Sequence, residues 1–160
     1  MVFSVGKQVK QGKAFEYSCL SSFYQYLKKD QDVVIKDTTT YRLAKDFFDN
    51  LPYDEKEKLI LGAKAAVKGI IRLEPQLDNS MTNTPLILSL QEDAKGIQGD
   101  VRDVLCIRQQ NKWEIGISCK HNHSAVKHSR LSQSIDFGNM WFDIPCSRSY
   151  FNEINQMFNE

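Results

Sequence analysis

Hydrophobic residues recur with a helical period through the first half of the chain. Apolar positions three and four residues apart predict one helix from about Gly12 to Lys29, and the same spacing continues after the threonines at 38–40 and after Asp54. Threonine and aspartate cap helix N-termini, so these positions predict the starts of a second and a third helix. We expect those two helices to form a structural layer without chemistry of their own.

Shorter apolar runs separated by polar residues predict strands. Val33–Ile35 predicts a small strand or an extended connection, and Leu86–Leu90 predicts a buried strand. Val104–Arg108 and residues 113–120 flank the polar segment 109–112, which predicts an antiparallel hairpin. The expected fold class is therefore α/β, with a central mixed β-sheet flanked by helices and with extra N-terminal helices.

The end of the chain is less regular. Residues 135–144 are rich in aromatic side chains and predict a further strand or an irregular packed segment, and Ser147 is expected to start a last helix. The apolar face of that helix either packs back on the core or belongs to something longer. We expect residues 1–160 to form a single domain that is part of a longer chain.

Composition narrows the class of protein. The chain has 160 residues, 41% of them hydrophobic, and a net charge of +1. This size allows a sizeable core, and the near-neutral charge means that any nucleic-acid surface has to be local. The four cysteines form no CxxC pair, and the sequence shows no secretory segment and no apolar run long enough to span a membrane. A reduced, cytoplasmic protein is expected.

The predicted hairpin carries candidate chemistry. Side chains alternate along a strand, so Gly116, Ser118 and Lys120 share the face opposite Trp113, and Asp103 heads the neighbouring strand. A carboxylate that holds a divalent cation, beside a lysine that stabilises developing phosphate charge, suits phosphoryl transfer. Mg²⁺ fits such a site because it takes oxygen ligands. An ion pair at a hairpin end is the alternative.

Two more carboxylates are candidates for the same site. Glu16 shares the apolar face of the first helix, where a carboxylate is costly to bury without a partner. It is either aimed into a site, or ion-paired, or at a helix end that reaches water. Asp100 lies close to Asp103 in sequence and would supply a second carboxylate there.

A basic segment follows Lys120. No Asp or Glu occurs from Ile115 to Ile135, whereas the three histidines and several cations do. This clustering is suited to a phosphate backbone, with a solvated helix face or a zinc site at His121 and His123 as alternatives. The residues expected to contact DNA are His121, Asn122, His123, Lys127, His128 and Arg130.

These motifs together resemble a known family. Asp103, a turn, and a strand ending in Ser118 to Lys120 are similar to the PD-(D/E)XK nuclease motif, whose first core helix often carries a glutamate at the position of Glu16. The runs GKAFEY at residues 12–17, GDVRD at 99–103 and GISCKHNHSAVKHSRLS at 116–132 more closely resemble the HaeIII family of type II restriction endonucleases.

The resemblance implies a magnesium-dependent endonuclease with a restriction-endonuclease-like core that cleaves double-stranded DNA at a short palindrome, GGCC for that family. By position, Asp103 would be the metal carboxylate, Lys120 the catalytic lysine, and Glu16 a further metal or water ligand. Ser118 departs from the motif, which has Asp or Glu there, and Glu16 or Asp100 would have to replace it. Such enzymes are generally longer, which predicts an N-terminal fragment.

Three functions remain open on these grounds. The first is a metal-dependent DNA endonuclease, expected to dimerise because a palindromic target has two-fold symmetry. The second is a non-catalytic DNA-binding module on a nuclease-like fold, suggested by Ser118. The third is a structural or partner-binding domain in which Asp103 and Lys120 form an incidental ion pair.

Overall fold

The computed structural model describes residues 6–78, 84–92, 100–120 and 132–159, without the side chains of Asn111 and Trp141. The chain divides into two compact units. The first comprises Met1–Glu92 and Arg102–Val126, and the second comprises Asp93–Val101 and Lys127–Glu160.

A four-stranded mixed sheet forms the centre of the first unit. The strands are β1 (Val33–Ile35), β2 (Leu86–Leu90), β3 (Val104–Arg108) and β4 (Trp113–Ile117), and they lie in the order β1-β2-β3-β4. β1 runs parallel to β2, whereas β2, β3 and β4 are antiparallel to their neighbours. The predicted α/β class with a mixed sheet is confirmed.

The hairpin of β3 and β4 has the predicted register. Val104 lies opposite Ile117, and a short 3-10 turn at Gln109–Asn111 leads to Lys112, whose φ of 50° reverses the chain. Beyond the strand, the Asp103 N–H donates to Ile117 O at 2.9 Å. β4 ends at Ile117 rather than at residue 120, so the prediction of one strand up to the lysine is wrong in length. The pairing nevertheless holds Asp103 beside the end of β4.

Three helices pack around this sheet. They are α1 (Lys7–Leu27), α2 (Thr39–Asp49) and α3 (Tyr53–Leu73). α1 begins at Lys7, earlier than the predicted Gly12. The hydrophobic pattern missed the first turns of this helix because they are polar and show no helical period. The extra N-terminal helices of the predicted fold are therefore present. The buried core joins these helices to one face of the sheet through Leu20, Phe23, Leu27, Ala44, Ala63, Val67, Leu86, Leu88, Leu90, Val104 and Cys106.

The two predicted helix caps differ in outcome. Thr38 Oγ1 accepts a hydrogen bond from Tyr41 N at 3.1 Å, which confirms the threonine as the cap of α2. α3 begins one residue before Asp54, with Pro52 at its N-cap, so Asp54 lies in the first turn instead. A carboxylate there still favours the helix because it faces the positive end of the helix dipole.

In the second unit, the described residues form two helices, α4 (Phe137–Phe142) and α5 (Arg148–Asn159). The prediction of a strand or irregular segment over 135–144 is wrong, because Asp136 caps a short helix by accepting from Asn139 N at 2.9 Å. Ser147 Oγ accepts from Tyr150 N at 3.2 Å, as expected for the start of the last helix.

Two global features follow from the described residues. All four cysteines are free thiols, with Cys19 and Cys106 buried and Cys119 and Cys146 half-buried. No helix in the described part of the chain has the length and apolar character needed to cross a membrane.

Candidate functional site

The carboxylate of Asp103 is the centre of a small polar cluster in the first unit. Asp103 Oδ2 accepts hydrogen bonds from Cys119 N at 2.7 Å and Ser118 Oγ at 3.1 Å, and lies 3.5 Å from Lys120 Nζ. The three donors come from successive residues, 118 to 120, which follow the end of β4 at Ile117. The structure thus brings together Asp103, Ser118 and Lys120, as the hairpin register predicts.

The ion pair in this cluster is mostly shielded from solvent. The side chain of Asp103 is 11% exposed and that of Lys120 is 24% exposed. Charges in such a setting interact more strongly than exposed pairs do, because solvent screens them less. The pair lies at the end of the hairpin and is partly shielded from solvent, unlike a fully exposed surface ion pair. The cluster offers a fixed carboxylate and a fixed ammonium group next to each other.

Glu16 forms an ion pair, which was one of the alternatives predicted for it. On α1, Lys13 Nζ lies 3.0 Å from Glu16 Oε2, and each of these side chains is 13% exposed. A half-buried carboxylate with a half-buried ammonium partner agrees with the cost of burying either charge alone. Glu16 does not reach water at a helix end, since it lies well inside Lys7–Leu27.

α1 lies against the polar end of β4. A cavity of about 160 Å³ opens between α1, α3 and the residues that follow Ile117. Its lining includes Phe15, Cys19, Phe23, Ala63, Ala66, Val67, Ile70, Ile117, Ser118, Cys119 and Lys120. Phe15 and Cys19 lie on either side of Glu16 along α1, and both line this cavity together with Ser118, Cys119 and Lys120.

The thiol of Cys119 reports the charges around it. Its pKa is raised well above the ordinary value, first by a hydrogen bond with the Cys19 thiol, then by burial, and further by the negative charges of Asp103 and Glu16. Both carboxylates therefore act on one thiol. A thiol with a raised pKa is a poor nucleophile, because the thiolate is the reactive form.

The donor set suits a hard cation. Asp103 and Glu16 offer carboxylate oxygens, and Mg²⁺ is bound by one or two carboxylates together with water and substrate phosphate. Within residues 6–78, 84–92, 100–120 and 132–159, no three His, Cys, Asp or Glu side chains form a ready-made metal group. Ser118 adds a hydroxyl that is engaged with Asp103 rather than a third carboxylate. The residues present fit a cation that keeps several non-protein ligands.

Asp100 is the remaining candidate carboxylate. It belongs to the second unit, whereas Asp103 belongs to the first. Its role as a substitute carboxylate stays a prediction.

The predicted DNA contacts lie outside the described residues. This holds for His121, Asn122, His123, Lys127, His128 and Arg130, and equally for the zinc alternative at the histidines. Their assignment rests on the sequence.

Sequence reasoning missed a residue next to the cluster. The Arg102 side chain crosses Gly116 and forms an ion pair with Glu114 on the same strand. A Cβ built on Gly116 would lie 2.8 Å from Arg102 Cβ and nearer to the next two carbons. The signal was available, because a glycine within a strand often marks the close approach of another group.

Comparison with known proteins identifies the family. A profile described as HaeIII restriction endonuclease matches residues 12–160. The chain is 38% identical over 154 residues to a protein named Type II restriction enzyme HaeIII from Haemophilus aegyptius, a match that covers 96% of this chain and 48% of that relative. The chain thus spans about half the length of the curated relative, and no solved structure matches it. The chain belongs to the HaeIII restriction endonuclease family.

Proposed function

We propose that the chain is a type II restriction endonuclease, or the part of one that carries its catalytic centre. It would hydrolyse phosphodiester bonds in double-stranded DNA with Mg²⁺ as cofactor. The observation that carries the proposal is the Asp103 carboxylate, which receives Lys120 Nζ, Ser118 Oγ and Cys119 N, beside the helix of Glu16. Family membership supplies the reaction class.

The chemistry of the site follows from the charges. Asp103, together with Glu16, would hold the cation, and bound Mg²⁺ would supply electrostatic stabilisation of the charge that develops on the phosphate. Lys120 presents a fixed ammonium group that can stabilise a phosphate oxygen or orient the attacking water. The N–H of Cys119 and the hydroxyl of Ser118 keep the Asp103 carboxylate in one orientation, so little reorganisation is needed when substrate binds.

DNA would be held by the basic segment after Lys120. Its residues from His121 to Arg130 contain cations and histidines without an acidic residue, which suits binding to phosphates. We propose GGCC as the target, from the family resemblance, and a homodimer, from the symmetry of a palindrome. A cytoplasmic location agrees with DNA as substrate and with four free cysteines.

Plasmid cleavage in Mg²⁺ tests the proposal. The parent, Asp103→Asn and Lys120→Ala are compared, with Lys58→Met on the exposed face of α3 as a control that also removes one positive charge. We expect cleavage by the parent and by the control, and a loss of at least about a hundredfold in each site variant. Site variants that cleave as fast as the parent would refute the assignment.

A non-catalytic DNA-binding module is the second candidate. It is favoured by Ser118, which bonds to Asp103 where the motif expects a metal carboxylate, and by the described residues having no three-ligand metal group. Filter binding at several salt concentrations separates the two functions. Salt-sensitive DNA binding, weakened by Lys127→Ala and Arg130→Ala without any Mg²⁺-dependent cleavage, would favour the module.

A further inference from the structure

Two lysine–carboxylate pairs lie near the Cys119 thiol, whose pKa both carboxylates raise, and only one of these pairs belongs to the hairpin. Lys120 lies 3.5 Å from Asp103, and Lys13 lies 3.0 Å from Glu16. Lys13 and Glu16 lie one helical turn apart on α1. Phe15, which lies between them in sequence, lines the same cavity as Lys120. Among the described residues, two lysines and two carboxylates thus lie close to this part of the molecule.

The Lys13 pair is far less exposed than the ion pair of Lys58 and Asp54 on α3. Both of its side chains are 13% exposed, whereas in the pair of Lys58 and Asp54 they are 76% and 70% exposed at 3.7 Å. An exposed pair contributes little because solvent screens it, but a buried carboxylate that loses its partner keeps an uncompensated charge. Loss of Lys13 would therefore leave the Glu16 charge less well compensated than loss of an exposed partner leaves an exposed carboxylate.

We infer that Lys13 is a positioning residue that holds Glu16 at the site and sets the affinity for the divalent cation by competing for the same carboxylate. With a cation bound, Glu16 would have a stronger positive partner and Lys13 would lose this ion pair. Without a cation, Lys13 lies 3.0 Å from the Glu16 carboxylate. This inference rests on the proposed function, because it takes Glu16 as a ligand beside Asp103.

Manganese titration calorimetry without DNA tests the competition directly. The chain and its variants Lys13→Met, Lys13→Arg and Lys58→Met are compared. Removal of the competing ammonium is expected to lower the dissociation constant for Mn²⁺ about fivefold in Lys13→Met. Lys13→Arg keeps the charge and should bind Mn²⁺ as the parent does. Lys58→Met controls for the loss of one positive charge and should also match the parent.

Two further variants show whether the effect passes through Glu16. Glu16→Gln should weaken Mn²⁺ binding, and Lys13→Met should have no added effect in the Glu16→Gln background, since the residues act as one unit. Thermal unfolding gives a second readout. Lys13→Met should lower the unfolding temperature without metal, and saturating Mn²⁺ should remove most of that difference because it binds the folded state.

The outcomes separate the inference from the function beneath it. If Mn²⁺ binding depends on Asp103 but Lys13→Met binds no more tightly than Lys58→Met, Lys13 is a structural partner only and the inference is overturned. If Mn²⁺ binding is the same in Asp103→Asn as in the parent, the proposed metal site is wrong and the inference falls with it. Tighter binding in Lys13→Met that vanishes in the Glu16→Gln background supports both.

Discussion

Ser118 Oγ donates a hydrogen bond to Asp103 Oδ2 at 3.1 Å, so the residue at which the family resemblance predicts a second carboxylate lies in contact with the predicted metal carboxylate. A hydroxyl at this position supports the orientation of Asp103 and adds no negative charge. The position is therefore one where a single substitution would change the charge of the site while keeping its shape.

Ser118→Asp is expected to have opposite effects on metal affinity and on stability. A second carboxylate adds ligand charge and should tighten Mn²⁺ binding about tenfold. Without metal, two carboxylates in contact repel each other, and the free energy of unfolding should fall by about 1 to 2 kcal/mol. Calorimetry and urea unfolding measure the two effects. Ser118→Asn, which has similar size and no charge, is the control and should not tighten metal binding.

The parts of the fold that the sequence predicted are those with local patterns. The hairpin was predictable because its strands alternate and its turn is polar, and the close approach of Asp103 to Lys120 followed from the register. The start of α1 was not, because Lys7 begins two polar turns that carry no period. The sequence did not predict α4, because six residues are too few to show a helical period of hydrophobic positions, although Asp136 is a suitable N-cap.

The candidate site shows the same division. The position of Glu16 on a buried helix face was predictable, but not which of its alternatives the fold would realise. That outcome depends on the Lys13 side chain, whose conformation no pattern specifies. The path of Arg102 over Gly116 likewise depends on which face a side chain takes at the end of a strand, where alternation no longer holds.

Gly116→Ala tests the contact that precedes Asp103. A methyl group there would collide with the Arg102 side chain and disturb its ion pair with Glu114. We expect the free energy of unfolding to fall by about 1 to 3 kcal/mol. Urea unfolding of Gly116→Ala, Arg102→Ala and the double variant measures the coupling between them. In the Arg102→Ala background the glycine substitution should cost little, and an equal cost in both backgrounds would contradict the clash.

Arg108→Met tests a buried arginine at the other end of the hairpin. Arg108 is 1% exposed. Its guanidinium donates hydrogen bonds to Gln31 Oε1 at 2.6 Å and to Gln76 O at 3.1 Å. These bonds tie β3 to the segment before β1 and to the 3-10 helix Pro75–Asp78 that follows α3. Methionine fills similar space but leaves the acceptors without this donor, so the free energy of unfolding should fall by about 2 to 4 kcal/mol.

Mn²⁺ affinity distinguishes this effect from one on the site. Arg108 is at the end of β3 farthest from Asp103, so the folded fraction of Arg108→Met should bind Mn²⁺ as the parent does. A changed affinity in a fully folded sample would show that the two ends of the hairpin are coupled.

Ionisation of the Cys106 thiol is expected to lower the stability of the protein at high pH. Burial raises its pKa from 9.0 to about 12 in the folded protein. Because the pKa of Cys106 is higher in the folded than in the unfolded protein, the thiol contributes fully to the free energy of unfolding below pH 9. This contribution is lost as the pH rises towards 12. Between these limits the unfolded thiol has ionised and the folded one has not, so the slope is about 1.4 kcal/mol per pH unit.

Urea unfolding at pH 7.5 and at pH 10 measures this effect, with Cys106→Ala as the variant that lacks the thiol. The alanine should cost stability at both values, since it leaves a cavity, but the drop between the two values should be smaller in the variant by about 1 kcal/mol. Ionisation of other groups contributes equally to parent and variant and cancels in that difference. Identical drops would show that the Cys106 thiol ionises in the folded protein at its ordinary pKa.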